Sequence, residues 1–139
     1  MRELSFRAKR VENQKWVYGF YVNCRGPMDP SHYTRHYILE YPDVWHEIYT
    51  STIGQYIGMK DKTGKKIYEG DILAGHLDDQ YPEDETMCVV VWDGKENRWS
   101  VRQVCFDGIP DPIEQEDEGL WAVVGNVYDN PELSGGITK

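Results

Sequence analysis

The sequence predicts a mainly β protein with little helix, built as a small SH3-like barrel or roll with an added N-terminal β-hairpin region. Short runs of aromatic and β-branched residues recur along the chain, separated by closely spaced turn signals. No long stretch has the apolar period of an amphipathic helix. Turn residues are densest between Thr52 and Ile72, where they leave no room for a helix.

Three segments are expected along the 139 residues. Residues 1–50 form an N-terminal β-hairpin and loop region, residues 51–134 form the small β-barrel domain, and residues 135–139 are a flexible C-terminal tail. This length suits a single domain, or one compact domain with an N-terminal subdomain.

The N-terminal elements begin with a hairpin. Residues 4–8 alternate apolar and polar side chains, and residues 16–22 are rich in aromatic and β-branched residues, so the two runs pair as strands. Residues 23–33 contain glycines and prolines and form a loop. Residues 36–40 are a further candidate strand.

The segment from Pro42 to Ile48 is expected to form a short helical turn. Pro42 stands at an early position, where a helix tolerates proline, and Val44 and Ile48 are four residues apart on one side.

Turn chemistry dominates the centre of the chain. Asp61 and Gly64 have the spacing of a type I turn that ends in a left-handed residue. Gly70 lies in a second bend, where a positive φ has no steric cost for glycine. The candidate turn residues are Gly54, Gly58, Asp61, Gly64, Glu69, Gly70, Asp71, Gly125 and Asn126.

The C-terminal half contains a second hairpin. Residues 87–92 form an apolar strand buried on both faces, which turns into residues 98–102, where apolar and polar side chains alternate. Acidic, proline-containing loops flank this hairpin at 75–85 and 107–118, and the β pattern resumes at 120–128.

Several blocks of the chain are similar to a known family. From Gly54 to Asp71 the chain contains Gly-Gln-Tyr-Ile-Gly and then Asp-Lys-Thr-Gly-Lys-Lys-Ile-Tyr-Glu-Gly-Asp, followed later by a valine-rich strand ending in Trp92 and by a closing block from Val124 to Leu133. Together with the opening strand and Lys15-Trp-Val-Tyr-Gly, these blocks resemble the YopX-like proteins of Bacillus prophages and many other phages, over nearly the whole chain. The resemblance implies an uncharacterised phage or prophage accessory protein, and it carries over no catalytic residues.

Charge is distributed unevenly within the net −9. Residues 1–66 contain 11 Lys and Arg against 7 Asp and Glu, whereas residues 67–139 contain 4 against 17. These opposite fields either promote head-to-tail contacts in a homo-oligomer or compensate each other inside one fold. The acidic half disfavours a broad nucleic-acid surface, because phosphate repels it.

Cysteine usage and hydropathy indicate a cytoplasmic protein, and the resemblance implies that the cell is a phage host. Cys24, Cys88 and Cys105 are odd in number and widely spaced, which is typical of free thiols in a reducing compartment. No apolar run approaches the roughly 20 residues of a membrane span, and the first residues lack the apolar core of a signal peptide. We therefore expect no membrane association.

Candidate chemistry is sparse. His32 and His36, with Cys24 nearby, have donor types that suit zinc, but a further close ligand is missing, so we expect no metal site and no cofactor. The carboxylates at positions 61, 69 and 71 are compatible with a hydrolytic site, yet turn chemistry already explains them. No residue is assigned a catalytic role.

Ten Tyr and five Trp either fill the core or form a contact surface. The candidate surface contacts are Tyr18, Tyr56, Tyr68, Tyr128, Arg7, Lys9 and Arg10. The leading hypothesis is a non-catalytic protein-interaction module for an unknown host or phage protein. The alternatives are a nucleic-acid-associated accessory protein that uses the basic N-terminal hairpin, and an enzyme with an unrecognised site.

Overall fold

A computed structural model describes residues 2–24, 34–77, 80–81, 83–106 and 108–137. The chain divides into two compact units, Met1–Tyr56 and Ile57–Lys139. The described residues form antiparallel sheets with two short 3-10 helices, which confirms a mainly β fold with little helix. Their strands close no barrel, because each sheet retains edge strands that pair on one side only. The expected SH3-like closure is therefore absent from the described part of the chain.

Unit 1 contains four strands, each of which pairs antiparallel with the next one along the chain. Their bounds are β1 Phe6–Lys9, β2 Trp16–Cys24, β3 Arg35–Glu40 and β4 Val44–Glu47. A 3-10 helix, Thr50–Thr52, leads into β5, Gly54–Lys60, whose first two residues pair with β1. A single bridge between Arg10 and Ile48 also joins the ends of β1 and β4.

The expected helical turn at 42–48 is wrong, because this segment contains strand β4. Residues 41–43 form a turn, and the residues after it alternate between exposed Trp45 and Glu47 and buried His46 and Ile48. Positions four apart share a face in a strand as well as in a helix, so the spacing of Val44 and Ile48 fits both structures.

The core of unit 1 lies on one face of its sheet. Ala8, Val17, Ile38 and Ile48 are buried together, and partly buried Phe6, Tyr21 and Ile53 pack against them. Facing residues in the ladder bring these side chains to the same side, because Ala8 is opposite Val17 and Tyr21 is opposite Ile38.

Unit 2 contains the remainder of β5, the short strand β6, Lys66–Tyr68, and a five-stranded antiparallel sheet. The strands of this sheet are β7 Asp71–Gly75, β8 Thr86–Asp93, β9 Arg98–Gln103, β10 Asp111–Pro112 and β11 Ala122–Asn126, and their order is β10-β9-β8-β7-β11. A 3-10 helix, Gln115–Gly119, interrupts the second acidic loop. Strands β8 and β9 form the hairpin expected at 87–102.

Both faces of strands β7 and β8 are buried. Leu73 and Val90 belong to one apolar cluster, which also includes Trp121, whereas Ile72 and Val89 belong to a second cluster. Because successive strand residues point to opposite faces, this pattern places β7 and β8 between two apolar layers of unit 2.

None of the helices in the described residues has the length and apolar composition needed to cross a membrane.

Candidate functional site

Asp61 holds together the turn that follows β5. Its Oδ1 accepts hydrogen bonds from the Thr63 amide at 2.8 Å, the Thr63 hydroxyl at 2.7 Å and the Lys65 amide at 2.9 Å. Its Oδ2 accepts one from the Val123 amide in β11 at 2.9 Å. Burial raises the pKa of this carboxyl, but the hydrogen bonds from Thr63, Val123 and Lys65 lower it by more, to about 2.

The bend before β7 is organised around Asp71. This side chain is 1% exposed, and its Oδ2 accepts a hydrogen bond from the Tyr68 amide at 2.8 Å. Gly70 has a φ of 90°, and its amide donates to the carbonyl of Val90. Glu69, which lies between Tyr68 and Gly70 in the same bend, is half-buried. Asp61 and Asp71 are thus engaged in turn hydrogen bonds rather than in a shared pocket.

The remaining candidate turn residues lie in β5, in the turn after it and in the closing block of the chain. Gly54 is buried at the start of β5, and Gly58 and Gly64 have a φ of 89°. Asn126 accepts the amides of Tyr128 at 3.0 Å and Asp129 at 2.9 Å on its Oδ1. A Cβ on Gly125 would lie 2.4 Å from the Asn130 side chain, so this position requires close approach of the backbone. The closing block therefore folds as a side-chain-bonded turn.

Of the residues considered as metal ligands, the structure describes His36 and Cys24. His32 lies outside the described residues. The Nδ1 of His36 is 2.6 Å from the Tyr21 hydroxyl, with the two rings stacked, and Cys24 is exposed. The described part of the chain contains no group of three or more His, Cys, Asp or Glu residues arranged to hold a metal ion.

The structure corrects the surface assignment of three candidate contacts. Arg7, Tyr56 and Tyr68 are 5%, 7% and 4% exposed. Arg7 is covered because its guanidinium lies over the Trp16 ring, 4.7 Å from the ring centroid. The two tyrosines occupy inward positions of β5 and β6.

The other candidate contacts keep part of their surface. Lys9, Arg10 and Tyr128 are half-buried, and Tyr18 is 47% exposed. Arg10 is not available as a free cation, since its guanidinium is ion-paired with Glu12. Among these predicted contact residues, Tyr18 is the aromatic one with the greatest exposure.

Unit 1 does contain an aromatic surface, on the side of the sheet opposite its core. Strand pairing places Tyr18 opposite Arg7, Trp16 opposite Lys9, Phe20 opposite Leu39, and Leu39 opposite Trp45. Facing residues point to the same side, so these side chains share one face. We call this surface the aromatic face, and it consists of Trp16, Tyr18, Phe20, Tyr37, Leu39 and Trp45.

The centre of the aromatic face is a row across three strands. Phe20 from β2 is 55% exposed, Trp45 from β4 is 48% exposed, and half-buried Leu39 of β3 lies between them. Two contacts hold Trp45 in place. Its ring packs edge-on against the Tyr37 ring, with 5.6 Å between the ring centroids, and its indole N–H donates a hydrogen bond to the Asp43 carboxylate at 3.1 Å. A ring fixed in this way loses little conformational freedom when a partner covers it.

Two cations on the aromatic face have partners within the same face. Arg35 of β3 is 3.7 Å from Glu47 of β4, and the Lys9 ammonium lies over the Trp16 ring, 5.4 Å from its centroid. The face is therefore apolar at its centre, and these two cations at its margin are already engaged within it.

Sequence reasoning missed Phe20 and Trp45. The alternation in residues 16–22 indicates two strand faces, but it does not say which face meets the core. The two strand faces are distinguished by the apolar residues Ala8, Val17 and Ile38, which lie on the buried side once the strands are paired.

The three thiols differ in their surroundings. Burial, with a smaller contribution from the nearby Asp111 carboxylate, raises the pKa of Cys88 to about 12, whereas Cys24 and Cys105 are exposed. Because the thiolate is the reactive form, we expect 5,5′-dithiobis(2-nitrobenzoate) at pH 8 to titrate two thiols of the native protein promptly and the third only after unfolding. Prompt titration of all three would contradict the burial of Cys88.

Comparison with known proteins gives family and fold. A family model described as YopX protein matches residues 5–134. The chain is similar to the crystal structure of protein EF1440 from Enterococcus faecalis, with a TM-score of 0.54 and 22% sequence identity, over 96% of this chain and 99% of that chain. At this identity the likeness concerns the fold alone. A search of curated proteins found no matching sequence.

Proposed function

This chain belongs to the YopX family, and we propose that it is a non-catalytic binding protein whose aromatic face docks a partner protein. The observation that carries the proposal is the cross-strand row of Phe20, Leu39 and Trp45, in which the two aromatic rings are about half exposed. Tyr, Trp and Phe are enriched at protein–protein interfaces, and truncating the central ones has the largest effect on affinity.

The geometry favours an apolar protein surface as the occupant. The aromatic rings come from three neighbouring strands of one sheet, so they form a rigid surface rather than a mobile loop. Trp45 is already fixed by Asp43 and Tyr37, which reduces the entropy lost on binding. Arg35 is paired with Glu47 and Lys9 lies over the Trp16 ring, so binding at the apolar centre of the face does not depend on a strongly charged partner.

A nucleic-acid partner is disfavoured by the state of the basic residues. Affinity for nucleic acid depends on Lys and Arg side chains that reach phosphate. In unit 1, Arg7 is buried, Arg10 is paired with Glu12, and Arg35 is paired with Glu47. The basic N-terminal hairpin therefore presents less free positive charge than its sequence indicates.

The proposal is tested with a double variant of the aromatic row. We expect a partner captured by the tagged protein from induced host cells to resist nuclease treatment and to be lost when Phe20→Ser and Trp45→Ser are combined. Hot-spot truncations of this kind cost about 2 kcal/mol or more each, which is roughly a 30-fold loss of affinity per residue. Binding of the purified partner, measured by calorimetry, gives the decrease directly.

Tyr81→Ser is the matched control, because Tyr81 is an exposed aromatic residue of unit 2 that lies outside the aromatic face. It should leave binding unchanged, and circular dichroism should show that all variants remain folded. Equal binding by the double variant would contradict the proposal. Loss of the partner on nuclease treatment would instead support the nucleic-acid alternative.

A second copy of the chain is one protein partner that this experiment separates from others. If the aromatic face binds itself, light scattering of the purified protein should give twice the monomer mass of 16.2 kDa, and the double variant should be monomeric. A dimer that the double variant preserves would place the contact between copies elsewhere.

A further inference from the structure

Unit 2 contains a cleft of about 670 Å³ at the end of the β8–β9 hairpin, in the size range of small-molecule sites. Its basic lining residues are Lys95, Arg98 and Arg102, and its apolar wall includes Val91, Ile109 and Pro110. The loop beside β9 is fixed to this lining, since the Arg102 Nη1 donates to the carbonyl of Gly108 at 3.4 Å.

The concentration of positive charge in this cleft contrasts with its surroundings. Residues 67–139 contain four Lys and Arg, and three of these line this one cleft. Among the residues that the structure describes, Lys95 and Arg98 form no ion pair. The cleft also includes Asp93 and Glu96, so its charged lining residues sum to +1, whereas residues 67–139 as a whole sum to −13. A concave site with an excess of positive charge attracts an anionic ligand.

Strand geometry places the two arginines on the same side of β9. Arg98 and Arg102 are four residues apart, so their Cα atoms are separated by about 13 Å at roughly 3.3 Å per residue. Cations at this separation suit a ligand with more than one anionic group. The planar guanidinium groups match phosphate oxygens, and Lys95 adds a point charge at the hairpin turn.

A buried polar group lies between the two arginines. Ser100 shares their side of β9 and faces Val91 of β8, which lines the cleft. Its side chain is fully buried, and within the described ranges its hydroxyl has no hydrogen-bond partner. Ser100 does not itself line the cleft, so it separates the two arginines along β9 without being a ligand-binding group of this site.

We propose that this cleft binds a small organic molecule bearing two or more phosphate groups, of the nucleoside polyphosphate class. Arg98, Arg102 and Lys95 hold the phosphates, while Ile109 and Pro110 contact the organic part. A long nucleic acid is disfavoured as the ligand, because its phosphates would extend beyond the three cations. The cleft also includes Asp93 and Glu96, and unit 2 contains eighteen Asp and Glu against eight Lys and Arg, which repel phosphate.

The test uses calorimetry on the full chain with three probes: ATP, inorganic tripolyphosphate and adenosine. We expect ATP to bind with a Kd below about 1 mM, tripolyphosphate to bind more weakly, and adenosine to show no binding. Arg98→Gln should weaken ATP binding roughly tenfold, the usual effect of losing one charge-assisted hydrogen-bonding group. Because Arg102 also bonds the neighbouring loop, Arg102→Lys accompanies Arg102→Gln and separates loss of charge from loss of loop structure.

Lys65→Gln is the control variant, since Lys65 is an exposed cation of the same unit that does not line the cleft. It removes the same charge and should change the ATP affinity by less than about twofold. No binding of ATP or tripolyphosphate by the folded wild-type protein would overturn the proposal. Equal losses in Lys65→Gln and Arg98→Gln would also overturn it, because they would indicate attraction by overall charge.

Discussion

Replacing Asp61 with Ala is expected to lower the free energy of unfolding by about 3–4 kcal/mol. The substitution removes the acceptor for the amides of Thr63, Lys65 and Val123, all within hydrogen-bonding distance of one carboxylate. A backbone N–H left buried without an acceptor costs about 1–3 kcal/mol. The bond to Val123 also links the β5–β6 turn to β11, 62 residues further along the chain. Urea unfolding followed by circular dichroism measures the effect.

Asp93→Ala is the matched control for this prediction. Asp93 also accepts two amides in a hairpin turn, from Lys95 at 3.0 Å and Glu96 at 3.4 Å. Its turn is exposed, so water replaces the lost acceptor, and the expected loss is about 1 kcal/mol. If Asp61→Ala destabilised the protein no more than Asp93→Ala, the structural role assigned to Asp61 would be wrong.

Asp61 should also give stability a specific pH dependence. The pKa of its carboxyl is about 2 in the folded protein and 3.8 ordinarily, so the unfolded chain binds this proton more readily. Its contribution is therefore fully present above pH 3.8 and is lost as the pH falls towards 2. We expect the difference in unfolding free energy between wild type and Asp61→Asn to shrink by about 2 kcal/mol between pH 5 and pH 2. Other carboxylates contribute equally to both proteins, so a constant difference would contradict the assignment.

The sequence predicted those features of the fold that are set by local chemistry. The mainly β class and the β8–β9 hairpin depend on residue types and turn signals that lie close together in the chain. Barrel closure depends on pairing between strands that are distant in sequence, so it cannot be predicted from the residue pattern within one segment. The same limit explains the error at β4, where Val44 and Ile48 have a spacing that helix and strand share.

The candidate site was less predictable than the fold, because exposure depends on strand register. Tyr56 and Tyr68 have the composition of contact residues, yet they occupy inward positions. Phe20 and Trp45 occupy outward positions that become evident only when Leu39 is placed between them. A shift of one residue in a strand exchanges its two faces, so composition alone does not assign them.

Gly19→Ala is expected to destabilise the protein by about 2–4 kcal/mol, because strands β2 and β3 approach closely at this position. A Cβ on Gly19 would lie 2.2 Å from the carbonyl oxygen of Leu39 and 2.9 Å from its carbonyl carbon. Both are backbone atoms, so no side-chain rotation relieves the overlap, and β3 must move. Ile38, which is fully buried beside Leu39, would move with it. Gly119→Ala is the control, since its Cβ meets nothing within 4 Å, and it should change stability by less than about 0.5 kcal/mol.

The Gly19 substitution also connects the fold to the proposed function. Leu39 is the middle of the row that includes Phe20 and Trp45, so a displaced β3 separates the two exposed rings. We therefore expect Gly19→Ala to weaken partner binding even where the protein remains folded, and amide hydrogen exchange in residues 35–40 to become faster. Unchanged exchange in β3 together with unchanged stability would show that the strands tolerate the methyl group. The rigidity assigned to the aromatic face would then be wrong, because the row depends on the close packing of β2 against β3.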